Sequence, residues 1–242
     1  MTALAGVGVA YGPETVFRNL DLAFPEGSAT VIIGRSGCGK STLLRLLAGL
    51  QAADTGRVTV AGRPVAGVTP DAGLVFQNLG LFPWKTVVQN VDLGLHGQGL
   101  PPDERRRRVA GVLGDLGLTA VARKYPGQLS GGQAQRCAIA RTLVRRPGLL
   151  LLDEPSAALD ALTREDFQDL LLDLHTRHPA TLVLVTHGIE EAAVVGDRTV
   201  VLRSAAPPLV LANPLPRGPE RRSHPEFLGV CQAIRAALAG EA

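Results

Sequence analysis

Aromatic residues make up only 4% of this chain of 242 residues, with one Trp and two Tyr, and there are only three cysteines. Cys38, Cys137 and Cys231 are odd in number and unevenly spaced, which excludes a disulfide framework and offers no metal-ligand pattern, so reduced thiols are expected. Apolar stretches stay short of the ~20 residues that cross a bilayer. The opening Met1-Thr2-Ala3-Leu4 lacks a basic region followed by a cleavable apolar segment. Together these absences set the expectation of a chain that stays in the cytoplasm. An excess of one charge is missing too: 25 basic against 22 acidic residues leave +3, which calls for no nucleic-acid partner. No internal repeat is evident. What is plentiful is aliphatic surface, since 45% of the chain is hydrophobic, ample for one large domain or two small ones.

Three segments carry chemistry. Gly34-Arg35-Ser36-Gly37-Cys38-Gly39-Lys40-Ser41 fits GxxxxGK[ST], a turn almost free of side chains that brings backbone N–H groups against a polyphosphate. The strand Ala29 to Ile33 feeds it, and the periodic Leu43, Leu44, Leu46, Leu47 and Leu50 follow as a helix. That helix start adds unpaired N–H groups and partial positive charge, Lys40 brings an ammonium to the β- and γ-phosphates, and Ser41 offers a hydroxyl to Mg²⁺. Thr42 joins the candidate ATP-binding residues. A turn that merely packs tightly is the alternative, and Lys and Ser in register argue against it. Cys38, inside the turn, is expected to react with bulky maleimides and to be shielded by ATP.

Leu149 to Leu152 read as a strand buried on both faces, so Asp153 and Glu154 emerge at its C-terminal edge, where ligands gather in parallel sheets. Asp153 suits a metal, directly or through water, and its charge is expected to be favoured by the cation. Glu154 is the candidate for orienting and deprotonating an attacking water. The third segment is Leu129-Ser130-Gly131-Gly132-Gln133, ahead of a helical stretch expected over Gln135 to Arg145. Its glycines and the helix start can face a γ-phosphate.

In order and spacing these segments resemble the ATPase subunits of ABC transporters over roughly residues 4 to 203. The resemblance implies an α/β fold, a P-loop NTPase (RecA-like) core of mostly parallel sheet with an N-terminal antiparallel β layer and an inserted helical subdomain. It implies head-to-tail pairing of two copies, each ATP lying between one copy's phosphate loop and the other's Ser130 to Gln133. Tyr11 is similar to the aromatic that stacks on adenine, Gln77 to the glutamine that reaches metal and attacking water, His187 to the histidine at the γ-phosphate, and Asp160 to a residue communicating across the dimer. Three positions depart from the common pattern. Gly188 stands where many relatives carry aspartate, Ser156 replaces an aromatic or threonine, and Ala134 replaces arginine or lysine. None removes a phosphate-contacting group, so hydrolysis is expected.

Residues 3 to 24 read as short β runs forming the antiparallel layer. Core segments are expected at about 1–84 and 136–205, a helical subdomain at about 85–135, and a proline-rich tail at about 206–242 with a short helix around Pro225 to Leu238. Arg105 to Arg108 follow Pro101-Pro102-Asp103-Glu104, a helix start, and read as a solvated helix face, with phosphate or lipid binding as the alternative. Leu79-Gly80-Leu81-Phe82-Pro83-Trp84 clusters large apolar groups where an exposed connection is expected. Phe82 and Trp84 are either anchors for a membrane permease or packed inside the subdomain.

With Leu159 to Arg164, this segment resembles the subgroup serving nitrate, sulfonate and taurine importers. The implied setting is the cytoplasmic face of the inner membrane, with permease subunits, a second copy, and indirectly an extracytoplasmic solute-binding protein as partners. A soluble ABC-type ATPase acting on nucleic acid or ribosomes is the alternative, disfavoured by the single copy and the Phe-Pro-Trp segment.

Overall fold

The computed structural model describes residues 1–203 and 206–240. The chain opens with a hairpin, β1 (Thr2–Tyr11) and β2 (Glu14–Phe24), turned at Gly12-Pro13. Alternate residues of the pair, among them Val7, Val9, Leu20, Leu22 and Phe24, point into the core. Next come β3 (Ala29–Ile33), helix α1 (Lys40–Ala48), β4 (Thr55–Val60), β5 (Arg63–Pro64) and β6 (Ala72–Val75). The antiparallel layer runs β2-β1-β4-β5, so half its strands lie outside residues 3 to 24. Only Val58 and Val60 are buried in β4, too brief an alternation to announce a strand.

The remaining strands are β7 (Leu149–Asp153), β8 (Thr181–Val185), β9 (Arg198–Val201) and β10 (Leu209–Ala212). They form a six-stranded sheet in the order β10-β9-β3-β8-β7-β6, parallel throughout except at β10. Every residue of β3 and β8 is buried, as are the four leucines of β7, as for strands covered on both faces. Leu149, Leu151, Val183 and Val185 pack with α1 and the antiparallel layer, while Leu150, Leu152, Leu182 and Leu184 face the other core. A period of two thus divides one strand between two cores.

That second core is closed by α2 (Val87–Leu93), α3 (Pro102–Asp115), α4 (Gly131–Leu143), α5 (Ala161–Arg177), α6 (Ile189–Val195) and α7 (Phe227–Ala239). Helix α4 begins at Gly131, four residues before the helical stretch expected at Gln135, because Ser130 caps it. Arg106, Arg107 and Arg108 pair with Asp103 or Glu104 along their own helix. Arg105 instead crosses to Asp92 of α2 and ties the two helices together. Among the described residues no helix is long and apolar enough to cross a membrane. The boundary expected at 205 lies outside the described residues.

The proline-rich tail contributes more than a terminal helix. Strand β10 pairs along β9, and Arg217 bonds the Asp197 carboxylate. Arg221, 2% exposed, donates to the carbonyls of Val194, Gly196, Leu215 and Pro216. Burial pushes its pKa down, opposed by Asp197. Gly196 O would keep the Asn213 amide as a donor if the guanidinium were removed, while the other carbonyls would lose the bond it supplies. Arg221→Met is therefore expected to lower unfolding free energy by roughly 3 kcal/mol or more. Urea denaturation followed by far-UV circular dichroism measures it, and a loss below about 1 kcal/mol would show that water replaces the guanidinium freely.

Candidate functional site

Strand β3 ends at Ile33 and the chain turns through the phosphate loop into α1. Glycine is required twice. A side chain at Gly34 would strike the carbonyl oxygen of Leu202, and one at Gly39 would come within 2.6 Å of Val16 Cγ1 and 2.7 Å of Phe17 Cζ. Gly39 is also the N-cap of α1 with φ 97°, a left-handed backbone. No side chain caps this helix, so its first N–H groups face outward to a ligand. Lys40 Nζ curls back to donate to the carbonyls of Gly34 (2.8 Å) and Arg35 (2.9 Å), which holds its charge over the loop.

Because β3, β8, β7 and β6 are parallel neighbours, their C-terminal ends open on one edge. The loop follows β3, His187 follows β8, Asp153 ends β7 with Glu154 directly after it, and Gln77 follows β6. Three of these meet. Gln77 Nε2 donates to Glu154 Oε2 at 3.4 Å, and His187 Nδ1 lies 3.6 Å from the same oxygen. Glu154 is held at φ 46°, uncommon for a residue with a Cβ, while its N–H donates to Val185 O at 2.9 Å. Asp153 accepts from Ser41. In the protein alone burial, the leading influence, pushes the Asp153 carboxyl up, against Ser41, Arg45 and Lys40. A half-buried carboxylate beside a hydroxyl offers oxygen donors suited to a hard divalent cation.

Tyr11 ends β1 and its half-exposed side chain reaches α1 and the turn after it, where the hydroxyl lies 3.5 Å from Thr42 Oγ1 and donates to Gln51 Oε1 (2.6 Å). Thr42 leads in lowering the phenol's pKa. Ser130 to Gln133 form a reciprocal cap on α4: Gln133 N donates to Ser130 Oγ, and Ser130 N donates to Gln133 Oε1. They abut the start of α5 rather than the phosphate loop. A side chain at Gly131 would meet Leu159, and one at Gly132 would meet Thr163. Asp160 caps α5, accepting from Thr163 N (3.0 Å) and Oγ1 (2.7 Å), and the Thr163 hydroxyl leads in holding its carboxyl below the usual range.

Two residues of the site are silent in the sequence. Asn90, fully buried in α2, accepts from Phe82 N and donates to the carbonyls of Phe82, Lys85 and Thr86. Arg141, near the end of α4, donates to Leu79 O (2.7 Å) and Gly80 O (2.6 Å), the two consecutive left-handed residues after Gln77. A polar residue amid Val87 and Val91 was the available signal for the first. Nothing in the pattern singled out the second. The loop so held presents Phe82, 39% exposed, and Trp84, 69% exposed, edge to face at 5.5 Å. Packing inside the subdomain is thereby excluded for Trp84.

A nucleotide-phosphate loop at the head of a parallel sheet, with acid, amide and imidazole on the same edge, defines an α/β nucleoside-triphosphate hydrolase of the P-loop class. A profile of the ABC transporter family matches residues 17–157. The aliphatic sulfonates import ATP-binding protein SsuB of Escherichia coli (strain K12) is 46% identical over 214 residues, 88% of this chain and 82% of that protein. The SsuB protein of Pseudomonas entomophila is also 46% identical, over 88% of this chain and 77% of its own. Among solved structures, the dimeric ABC transporter cassette MJ0796 aligns with TM-score 0.74 and 35% identity, covering 84% of this chain and 94% of that one. CbiO1 of Clostridium perfringens, part of the cbiONQ transporter complex, aligns with TM-score 0.82 and 26% identity over 99% and 96%. The chain belongs to the ABC transporter family and is an ATPase of it.

The expected openness of Cys38 is corrected by its burial: at 2% exposure its thiol lies beneath the loop. Maleimide is expected to leave Cys38 unmodified in the native chain over hours and to label it within minutes in urea, read by mass spectrometry of the tryptic peptide. Rapid native labelling would show the loop opening. For the loop carrying the sole tryptophan, Asn90→Leu removes the side-chain hydrogen bonds to four backbone groups, of which Phe82 O and Thr86 O keep a backbone donor, and is expected to cost about 2–4 kcal/mol. Trp84 fluorescence anisotropy should fall in that variant as the loop loosens; unchanged anisotropy would mean that Arg141 alone holds it.

Proposed function

We propose that this chain is the ATP-hydrolysing subunit of an importer, working as a head-to-tail pair on the cytoplasmic face of a membrane against permease subunits. The observation that carries the reading is the convergence of Gln77 and His187 on one oxygen of Glu154, at the sheet edge that also bears the phosphate loop. Head-to-tail pairing is supported by the place of Ser130 to Gln133: their cap abuts the start of α5, beside Asp160, rather than their own phosphate loop. The dimeric MJ0796 cassette supports association of two copies.

In this reading the backbone of Gly34 to Gly39 and the ammonium of Lys40 hold the phosphates, with Arg35, Ser36, Gly37, Cys38, Ser41 and Thr42 lining the same turn, and Tyr11 offers its ring to the base. Glu154 takes a proton from the water that attacks the γ-phosphorus, and Gln77 orients that water. His187 steadies the γ-phosphate oxygens, and ADP leaves with the β–γ bridging oxygen. Ser41, Asp153 and Gln77 would hold Mg²⁺, which when bound supplies positive charge against the β- and γ-phosphate oxygens. Ser130, Gly131, Gly132 and Gln133 of a second copy close over the γ-phosphate, and Asp160 carries the state of one site to the other. Residues 85–135 act as the moving helical part between core segments 1–84 and 136–205, with 206–242 as the tail.

Phe82 and Trp84 anchor a permease segment, the edge-to-face pair giving a rigid apolar contact. Sulfonate import, for which the two SsuB relatives are named, supports a sulfonate or a similar small anion such as nitrate or taurine as cargo, delivered by an extracytoplasmic binding protein.

Glu154→Gln keeps the side chain's shape and removes its basicity. Turnover measured by phosphate release is expected to fall about 10²–10⁴-fold while ATP affinity stays within a few-fold. Size-exclusion chromatography with MgATP should then show a stable pair absent from the wild type. Undiminished phosphate release by the variant would remove Glu154 from the role of base.

A further inference from the structure

His187 stands between two residues braced by a hydrogen-bonded relay. Gly188 N donates to Thr186 Oγ1 at 3.0 Å, and that hydroxyl donates to Glu191 Oε2 at 2.5 Å. Thr186 and Glu191 are both almost fully buried. Gly188 is the N-cap of α6 and has no side chain with which to cap it; Glu191 occupies the third helical position. In a capping box a glutamate there takes the N-cap N–H directly. Here the threonine hydroxyl is interposed, so the two bonds fix the peptide on both sides of His187.

The carboxyl of Glu191 is costly where it lies. Its Oε1 has no hydrogen-bond partner among the described residues, an expensive state for a buried oxygen. Gly188 has φ −83° and ψ 113°, ordinary extended backbone, so its conformation does not demand glycine. Without a Cβ at 188 the backbone after His187 is less restricted, and the relay is what limits it. The imidazole itself is 68% exposed, so packing does not hold the ring against Glu154.

We infer that Thr186 and Glu191 are positioning residues for His187, setting the direction of its imidazole toward Glu154 and the γ-phosphate; this rests on the role proposed for His187 above. Steady-state turnover of the full chain with MgATP tests it. Glu191→Leu and Thr186→Val are each expected to lower kcat about 10- to 100-fold with KM changed less than about threefold, the pattern of a lost transition-state contact. Glu191→Gln retains an acceptor for the Thr186 hydroxyl and should keep kcat within about threefold of wild type.

The deciding comparison is made in the His187→Ala background. There Glu191→Leu should lower kcat no further, because residues acting through one group are not additive. An equal further loss in that background would overturn the relay while leaving His187 in its role. Wild-type kcat in both Glu191→Leu and Thr186→Val, with His187→Ala slow, would do the same. Wild-type kcat in His187→Ala would instead remove the role of His187 and the relay with it. Because Glu191→Leu can unfold α6, the ¹³Cε1–¹Hε1 resonance of His187, assigned by its loss in His187→Ala, is followed in Thr186→Val. It should move toward the position of a freely rotating imidazole, and an unmoved resonance would overturn the inference.

Discussion

Parallel pairing of β3, β8, β7 and β6 decides where every reactive group of this protein falls. With all four strands running the same way, the residues that follow them share an edge, although they come from positions 34, 77, 154 and 187 of the sequence. Register does the finer work: Asp153 lies opposite Val185, so the acid and the start of the His187 segment sit at one level. Backbone hydrogen bonds, not side-chain packing, therefore set the spacing of the site, and the fully buried aliphatic strands make that spacing stiff.

Against this stiff edge the protein keeps a few uncomfortable arrangements. Glu154 holds a left-handed backbone, Asp153 is held where burial disfavours its charge, and Glu191 buries an oxygen without a partner. Each is a local penalty that the cores on either side of the sheet sustain. All three lie within reach of the same edge, which is the distribution expected when strain is kept where chemistry is done.

The sequence made the reactive segments legible because each joins a side-chain pattern to a strand or helix boundary. Lys40 and Ser41 after five apolar strand residues, and Asp153 and Glu154 after four leucines, need no tertiary information to be placed. Strands β4, β5 and β10 were missed because they are short, half-exposed and hold their place by pairing with a neighbour rather than by their own alternation. Arg141, Asn90 and Thr186 were missed for a different reason. Their work is done on backbone groups or carboxyls elsewhere in the chain, and no residue spacing announces a carbonyl that needs a donor. Cys38 was misread because a loop that carries phosphate on one face has a second face that packs.

The grip of Arg141 on the loop after Gln77 has a mechanical meaning. Ser130, at the opposite end of the same helix, lies roughly 16 Å away along the axis. Between them α4 contains no proline, and its interior side chains are buried, so it cannot bend easily. A load applied to the loop that carries Trp84 would thus pass along α4 toward the far serine, and a pull on that serine would return the same way. Load entering at one end of the rod must leave by the other.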